Sequence, residues 1–316
     1  MIVLFNQEQK VLENEIMNSI KNGQFRICTR TRLSSTETMN VFKICLGNIP
    51  EYIIFDNCRV SVHAGLNSKT LELLPKRKSL NTFFGKEDVY FLRNKAEEIV
   101  HSLHLNGKND MMKAVSIYDY LCKTVRYKIT ENSQNAWGAL VEKTAVCEGI
   151  SYAFNLLANV SGLPSVIVQG TLNNGPHAWN MIQINNCFYH VDTTSALEDE
   201  VEDSNCNYDY IFMQDSDMKG YVWNKSMYPR CTSTQHNYFV CSRSFAKSIK
   251  EAEEIIKRQV SAKRIVYFRT DSSLKMTDDT AYEIFKKVLT EQGISVASGS
   301  IRMNPKMDIF QIKYHI

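Results

Sequence analysis

Three short stretches decide how the chain is read: Val146-Cys147-Glu148-Gly149, Pro176-His177-Ala178-Trp179-Asn180 and Tyr189-His190-Val191-Asp192-Thr193. They carry a thiol, an imidazole and a carboxylate, the three parts of an activated sulfur nucleophile. The pattern of the residues between them says whether the chain can bring the three together.

Apolar residues recur at Ile150, Ala153, Phe154, Leu157 and Val160, the spacing of one face of a helix. Ser161-Gly162-Leu163-Pro164 stops that helix, with glycine suited to the left-handed cap. Cys147 falls on the same stripe in the first turn, where unpaired backbone N–H groups and the positive end of the helix dipole favour a thiolate. Taken alone, a cysteine on an apolar stripe is more often a small buried hydrophobe.

Ser165–Leu172 is apolar and β-branched enough for a strand, and Asn173-Asn174-Gly175-Pro176 is expected to break it. His177–Ile184 and Cys187–Thr194 then flank Asn185-Asn186, a two-residue turn suited to type I′ geometry. Pairing Ile184 with Cys187 sets Trp179 opposite Asp192 and His177 opposite Thr194. Asp192 becomes the diagonal neighbour of His177 on one face, at roughly 7–8 Å between backbones. A slip of one residue would turn Asp192 to the other face. Singly, His177 reads as a strand histidine and Asp192 as a turn residue; the joint placement around one helix and one hairpin is what points to chemistry.

The chain resembles the transglutaminase-like superfamily of papain-type folds, in its bacterial form. The matching segments are Ala136-Trp137-Gly138-Ala139-Leu140, Ala145-Val146-Cys147-Glu148-Gly149, His177-Ala178-Trp179-Asn180 and Tyr189-His190-Val191-Asp192-Thr193-Thr194, with a similar lead-in (Tyr118–Tyr127) and tail (Tyr208–Thr232). The resemblance covers roughly residues 85–235. It implies an α+β core in which a helix bearing the cysteine packs on an antiparallel sheet bearing the histidine and aspartate. It also implies Cys147 as nucleophile, His177 as base and Asp192 as the group that orients the ring. Two positions depart from the family: Trp137 stands where a tyrosine is common, and Asp192-Thr193-Thr194 stands where Asp-Thr-Trp is common.

The activity this implies is attack on a peptide or side-chain amide through a thioester. Hydrolysis is placed ahead of transamidation because no calcium-dependent acceptor machinery is evident. The backbone N–H of Cys147 and one further donor would hold the oxyanion. Gln134 and Trp137 each offer a side-chain N–H for that role, although Trp137 also fits a core aromatic, and Trp179 is a further cleft candidate. The competing reading is a non-catalytic peptide-binding protein on the same fold. A protein or peptide substrate is expected, with no cofactor and no metal.

A net charge of +3 is too small to argue for nucleic acid or membrane surfaces as partners. No stretch approaches the ~18 apolar residues of a membrane span, and Met1–Phe5 is too short for a signal-peptide core. Nine cysteines without paired spacing suit a reducing compartment, so a cytoplasmic protein is expected. Neither Cys231, His236 and Cys241 nor Cys187, His190 and Cys206 shows the pairing of structural zinc. The acidic run Glu198–Asp203 lacks the pattern of a calcium loop, and Lys76-Arg77-Lys78 reads as a solvated loop.

The two ends look alike. Helix 7–22, strand 24–29, a helix from Ser35 and strands 51–55 and 59–63 precede the core. Helix 245–260, strand 264–269, helix 278–292 and strands 294–301 and 308–314 follow it. This order suggests a small αβαββ module used twice, over 1–80 and 240–316, around a core at 85–235. Two amphipathic helices link the first module to the core. Val89, Leu92, Ala96, Ile99 and Leu103 mark one, and Ala114, Ile117, Tyr118, Leu121 and Val125 the other, capped by Asn109.

Overall fold

Asn6 and Ser34 open the first two helices through reciprocal caps. The Asn6 side chain accepts from the Gln9 N–H at 2.9 Å while Gln9 Oε1 accepts from the Asn6 N–H at 3.0 Å; Ser34 and Glu37 repeat the arrangement at 3.1 and 2.7 Å. The computed structural model describes residues 2–63, 67–79, 82–198, 207–260 and 265–315. Residues 199–203 of the acidic run, Cys206, and the start of the strand expected from 264 lie outside them. Contacts gather the chain into two compact units: Met1–Ile211 with Gly220–Cys231, and Phe212–Lys219 with Thr232–Ile316.

The first unit begins α1(Gln7–Lys21), β1(Arg26–Arg30), α2(Ser35–Gly47), β2(Phe55–His63), β3(Ser68–Pro75), and its three strands form an antiparallel sheet in the order β1-β3-β2. Residues 51–55, expected as a strand, belong mostly to a 3₁₀ turn at Pro50–Ile54. The turn buries the neighbours Tyr52 and Ile53 together, at 6% and 0% exposure, where a strand would send them to opposite faces. Two two-stranded ribbons follow: β4(Arg77–Ser79) with β5(Thr82–Phe83), and β6(Arg126–Tyr127) with β7(Thr144–Ala145). The Lys76–Lys78 run is therefore not a plain loop. Lys78 pairs with Asp88 at 2.5 Å and lies over the Trp137 ring at 4.5 Å.

Helices α3(Lys86–Ser102) and α4(Asp110–Thr124) bury Val89, Leu92, Ala96 and Ile99, and Ala114, Ile117, Tyr118 and Leu121, as their stripes predict. They pack on α5(Cys147–Val160), which also lies against β8(Ser165–Leu172) and β9(Gly175–Ile184). Every residue of α5 from Gly149 to Ala158 is buried. A helix buried on all sides, with even Ser151 and Asn155 shielded from solvent, sits in the middle of its unit.

The sheet beside α5 runs β10(Cys187–Val191), β9, β8, β11(Tyr221–Trp223), each neighbour antiparallel. Ile184 pairs with Cys187 as expected, and Asn185 and Asn186 take φ of 47° and 63°, the left-handed values a type I′ turn requires. Asn173 and Asn174 do the same, at 49° and 68°, so they join β8 to β9 as a second tight hairpin instead of breaking the sheet. Pro176 is tolerated inside β9 because the β10 ladder ends at Val191–Asn180, leaving that part of β9 paired on one side. The strand expected through Thr194 stops at Val191, and α6(Thr193–Glu198) begins two residues later.

The second unit carries α7(Tyr238–Cys241), β12(Phe245–Ala246), α8(Ile249–Val260), β13(Ile265–Thr270), α9(Asp278–Glu291), β14(Ser298–Asn304) and β15(Ile309–His315). The helix expected from Phe245 starts four residues later, because Phe245 and Ala246 pair with Arg269 and Thr270 as a parallel strand. The order β13-β15-β14, all antiparallel, repeats β1-β3-β2 of the first unit. Ile255, Ile256, Phe268, Phe285 and Phe310 are in its core.

Gly149 marks the tightest approach to α5. A Cβ there would lie 2.2 Å from the Ser133 carbonyl oxygen and 2.9 Å from that of Asn135. Gly149→Ala is expected to destabilise the fold by about 1–3 kcal/mol, the usual range for overpacking, read as a lower urea midpoint. An unchanged midpoint would mean that loop 132–135 does not press on the helix as described.

Candidate active site

Val146 precedes α5 in extended conformation and provides no side-chain cap, so the first-turn N–H groups meet the space around Cys147. The preceding loop is fixed against that end. The Val146 N–H donates to the Ser133 carbonyl at 2.9 Å, and Asn135 Oδ1 accepts from the N–H groups of Trp137 and Gly138 at 2.9 and 3.2 Å. The Ala136 N–H donates to the Tyr52 hydroxyl. Tyr52 in turn stacks on Tyr152 of α5, with ring centroids 3.7 Å apart and planes within 9°.

The structure brings Cys147, His177 and Asp192 together. His177 Nε2 donates to Asp192 Oδ2 at 2.8 Å, and His177 lines the same cleft as Cys147, near enough for the sulfur to act on the ring's charge. With Nε2 committed to the carboxylate, Nδ1 is the nitrogen left for the sulfur. The His177 and Asp192 side chains are 8% and 0% exposed. Asp192 is not a strand residue facing Trp179. It caps α6: its Oδ1 accepts from the N–H groups of Thr194 and Ser195, both at 3.1 Å. Its Oδ2 accepts from the Ser195 hydroxyl at 2.7 Å and the Tyr221 hydroxyl at 2.6 Å, besides His177. Five donors converge on one carboxylate.

Charges follow from this arrangement. Burial works against a charged His177, but the hydrogen bond to Asp192 and the attraction of Asp192 and Cys147 outweigh it, and its pKa is pushed up to about 10. Burial likewise opposes the Asp192 charge; His177, Tyr221 and Ser195 overcome it and hold the carboxyl below its ordinary value. The Tyr221 phenol is raised by burial and by the adjacent carboxylate. Glu148, next to the thiol, is raised by burial, with Lys76 and Lys43 acting in the opposite direction.

A cleft of about 840 Å³ opens over Cys147 and His177, lined also by Gln134, Glu148, Tyr52 and Lys76. Gln134 is thus placed beside the thiol. Trp137 is not: it packs on Phe84 and Phe91, at 5.5 and 5.4 Å between ring centroids, and beneath Lys78. The side chain turns toward this apolar group, away from the cleft, which removes it as an oxyanion donor. Trp179 is buried at 1% exposure, and its Nε1–H donates to His190 Nδ1 at 3.0 Å. It supports the His177 ring from beneath, at 6.0 Å between centroids, and does not line the cleft.

Ser195 and Tyr221 were not anticipated. The Asp192-Thr193-Thr194-Ser195 stretch does carry a helix-cap signature, hidden by reading the strand through Thr194. Nothing near Tyr221 announces its bond to Asp192.

Residues 97–193 match the transglutaminase-like superfamily, a group generally made of cysteine-based enzymes. The chain carries a transglutaminase-like domain. All three residues of the cluster lie within the matched segment. Among solved structures, the chain is similar to a TGase (15% identity, TM-score 0.34, 56% of this chain and 53% of that one). It is also similar to a candidate cysteine protease from Cytophaga hutchinsonii (12%, 0.29, 44% and 61%). A third is a candidate protease from Parabacteroides distasonis (11%, 0.27, 42% and 35%). The chain thus spans 53%, 61% and 35% of these three relatives. No curated protein matches it. Among the described residues, no helix is long and apolar enough to cross a membrane.

The raised pKa of His177 sets a sign for pH effects. Protonation of its ring contributes stability that is complete below the unfolded value of ~6.5 and is lost as pH rises through about 10. The depressed Asp192 contributes stability above ~3.9 that is lost as pH falls through its lower folded value. Imidazole NMR is expected to show His177 titrating near 10, and Asp192→Asn to move the titration downward. A ring that titrates near 6.5 in both proteins would contradict the described hydrogen bonds.

Proposed function

We propose that the protein is a cysteine-nucleophile enzyme that cleaves peptide or side-chain amides through a thioester on Cys147. The observation that carries this reading is a single imidazole bonded to the buried Asp192 carboxylate and sharing one cleft with the Cys147 thiol. His177 takes the thiol proton, and the imidazolium stays charged at neutral pH because Asp192 stabilises it. The thiolate adds to the amide carbonyl. The oxyanion is held by the Cys147 N–H and the Gln134 side-chain amide, both at the cleft. His177 then gives its proton to the departing amine, the C–N bond breaks, and a thioester remains. Water activated by the neutral ring hydrolyses it, freeing the acid and the thiol.

We place hydrolysis ahead of transfer to an amine. Lys43 and Lys76 on the cleft wall disfavour the approach of a protonated lysine acceptor. Asp192 with its five donors and the aromatic support of His177 argue against a relic that only binds peptides, since binding alone does not call for an oriented imidazole.

Alkylation by iodoacetamide tests the nucleophile. With sites mapped by mass spectrometry, Cys147 is expected to keep reacting as pH falls from 8.5 to 6, while the exposed Cys28 and Cys241 fade by more than tenfold. Equal fading of all three would favour the non-catalytic peptide-binding reading.

A further inference from the structure

The wall of the cleft opposite the catalytic loop comes from the first αβαββ module. Met39, Phe42, Lys43 and Leu46 of α2 line it, with Tyr52 and Lys76. This wall is tied to the catalytic helix. Asn155 Nδ2 of α5 donates to the Gly47 carbonyl at 2.8 Å and reaches Asn48 Oδ1 at 3.4 Å, and Tyr52 stacks on Tyr152 one turn after the nucleophile. Asn155 is 2% exposed, so these bonds sit inside the protein and fix α2 relative to Cys147.

A smaller recess of about 80 Å³ continues from the cleft along the same wall, sharing Asn40, Lys43 and Gln169 with it and reaching Asn224. Ile44, Ile167 and Met227 give it an apolar lining, while its polar side chains are the Lys43 ammonium, the primary amides of Asn40, Gln169 and Asn224, and the Tyr228 hydroxyl, which donates to the Ile167 carbonyl at 3.4 Å. Asn224 already uses its Oδ1 to accept from the N–H and hydroxyl of Ser226, at 3.3 and 2.7 Å, so its NH₂ is the end offered elsewhere. The recess therefore presents the Asn224 N–H donors and the positive charge of Lys43 around a space for one short side chain, with Asn40 and Gln169 amides able to donate as well. A carboxylate satisfies such a set through charge-assisted hydrogen bonds; a cationic side chain meets Lys43 and has no carboxylate of the recess to pair with. Lys76, which also lines the cleft and acts on Glu148, adds to the field. Burial disfavours the charge of Glu148, so it offsets the two lysines incompletely.

We propose that the first αβαββ module is the specificity wall of the transglutaminase-like site, and that the recess at Lys43 receives an acidic side chain of the acyl donor, close to the amide under attack. The proposal rests on Cys147 being the nucleophile. It deepens that reading by naming the substrate class: peptides with aspartate or glutamate beside the attacked amide.

Chloroacetyl peptides provide the probe, because they alkylate the sulfur from within the cleft. Three are compared on the full chain, with glutamate, glutamine or lysine next to the chloroacetyl group, and the rate of modification at Cys147 is followed by mass. The glutamate probe is expected to react roughly fivefold faster than the lysine probe, the upper end of what an ion pair with an exposed lysine supports. Lys43→Gln should bring the two rates together, and Lys43→Arg should keep them apart. Equal rates for all three probes at a fast-reacting Cys147, or selectivity unchanged in Lys43→Gln, would overturn the subsite while leaving the nucleophile standing. A Cys147 no faster than Cys28 would bring down both.

Discussion

The Asp192 carboxylate, wholly buried, is the constraint around which the transglutaminase-like site is built. A charge removed from water has to be compensated by hydrogen bonds and an opposite charge, or it neutralises. Here two backbone N–H groups, two hydroxyls and an imidazole supply the compensation. The donors arrive on three pieces of chain: three from the start of α6, one from the strand β9 and one from the strand β11. The need to satisfy one anion thus fixes three elements at once, and the His177 ring is held with its second nitrogen toward Cys147. Trp179 beneath the ring and Tyr221 beside it, at 5.8 Å from its centroid, leave little room for another orientation.

Close backbone approaches do the corresponding work on the sulfur side. Gly149 lets loop 132–135 lie on the first turn of α5, which is what sets Gln134 at the mouth of the cleft. Gly170 plays the same part across the sheet. A Cβ there would sit 2.1 Å from the Val222 carbonyl oxygen, so its absence is what admits β11, and with it the Tyr221 hydroxyl. The residues that carry chemistry and the glycines that carry none are parts of one arrangement.

Much of this was legible in the sequence because it depends on local rules. The helix at Cys147, the turn at Asn185-Asn186 and the register that follows from it all come from periodicity and turn chemistry, and they place His177 and Asp192 near each other without tertiary knowledge. The illegible parts depend on distant chain. Trp137 lies ten residues before Cys147 and carries a suitable donor, yet its ring is claimed by Phe84, Phe91 and Lys78, which no local pattern reveals. Tyr52, 95 positions before Cys147, reaches the loop at Ala136 because it stacks on Tyr152 of α5. Pairing through Thr194 misread a helix cap as strand because alternation and capping overlap at Asp192.

The most direct test is acyl transfer to the sulfur itself. Brief exposure to p-nitrophenyl acetate followed by acidic peptide mapping should find the acetyl group on Cys147. The label should fall to background in His177→Ala and drop strongly in Asp192→Asn. Acetylation that bypasses Cys147, or that persists on it unchanged when His177 is removed, would contradict a sulfur nucleophile activated by this imidazole and its buried carboxylate.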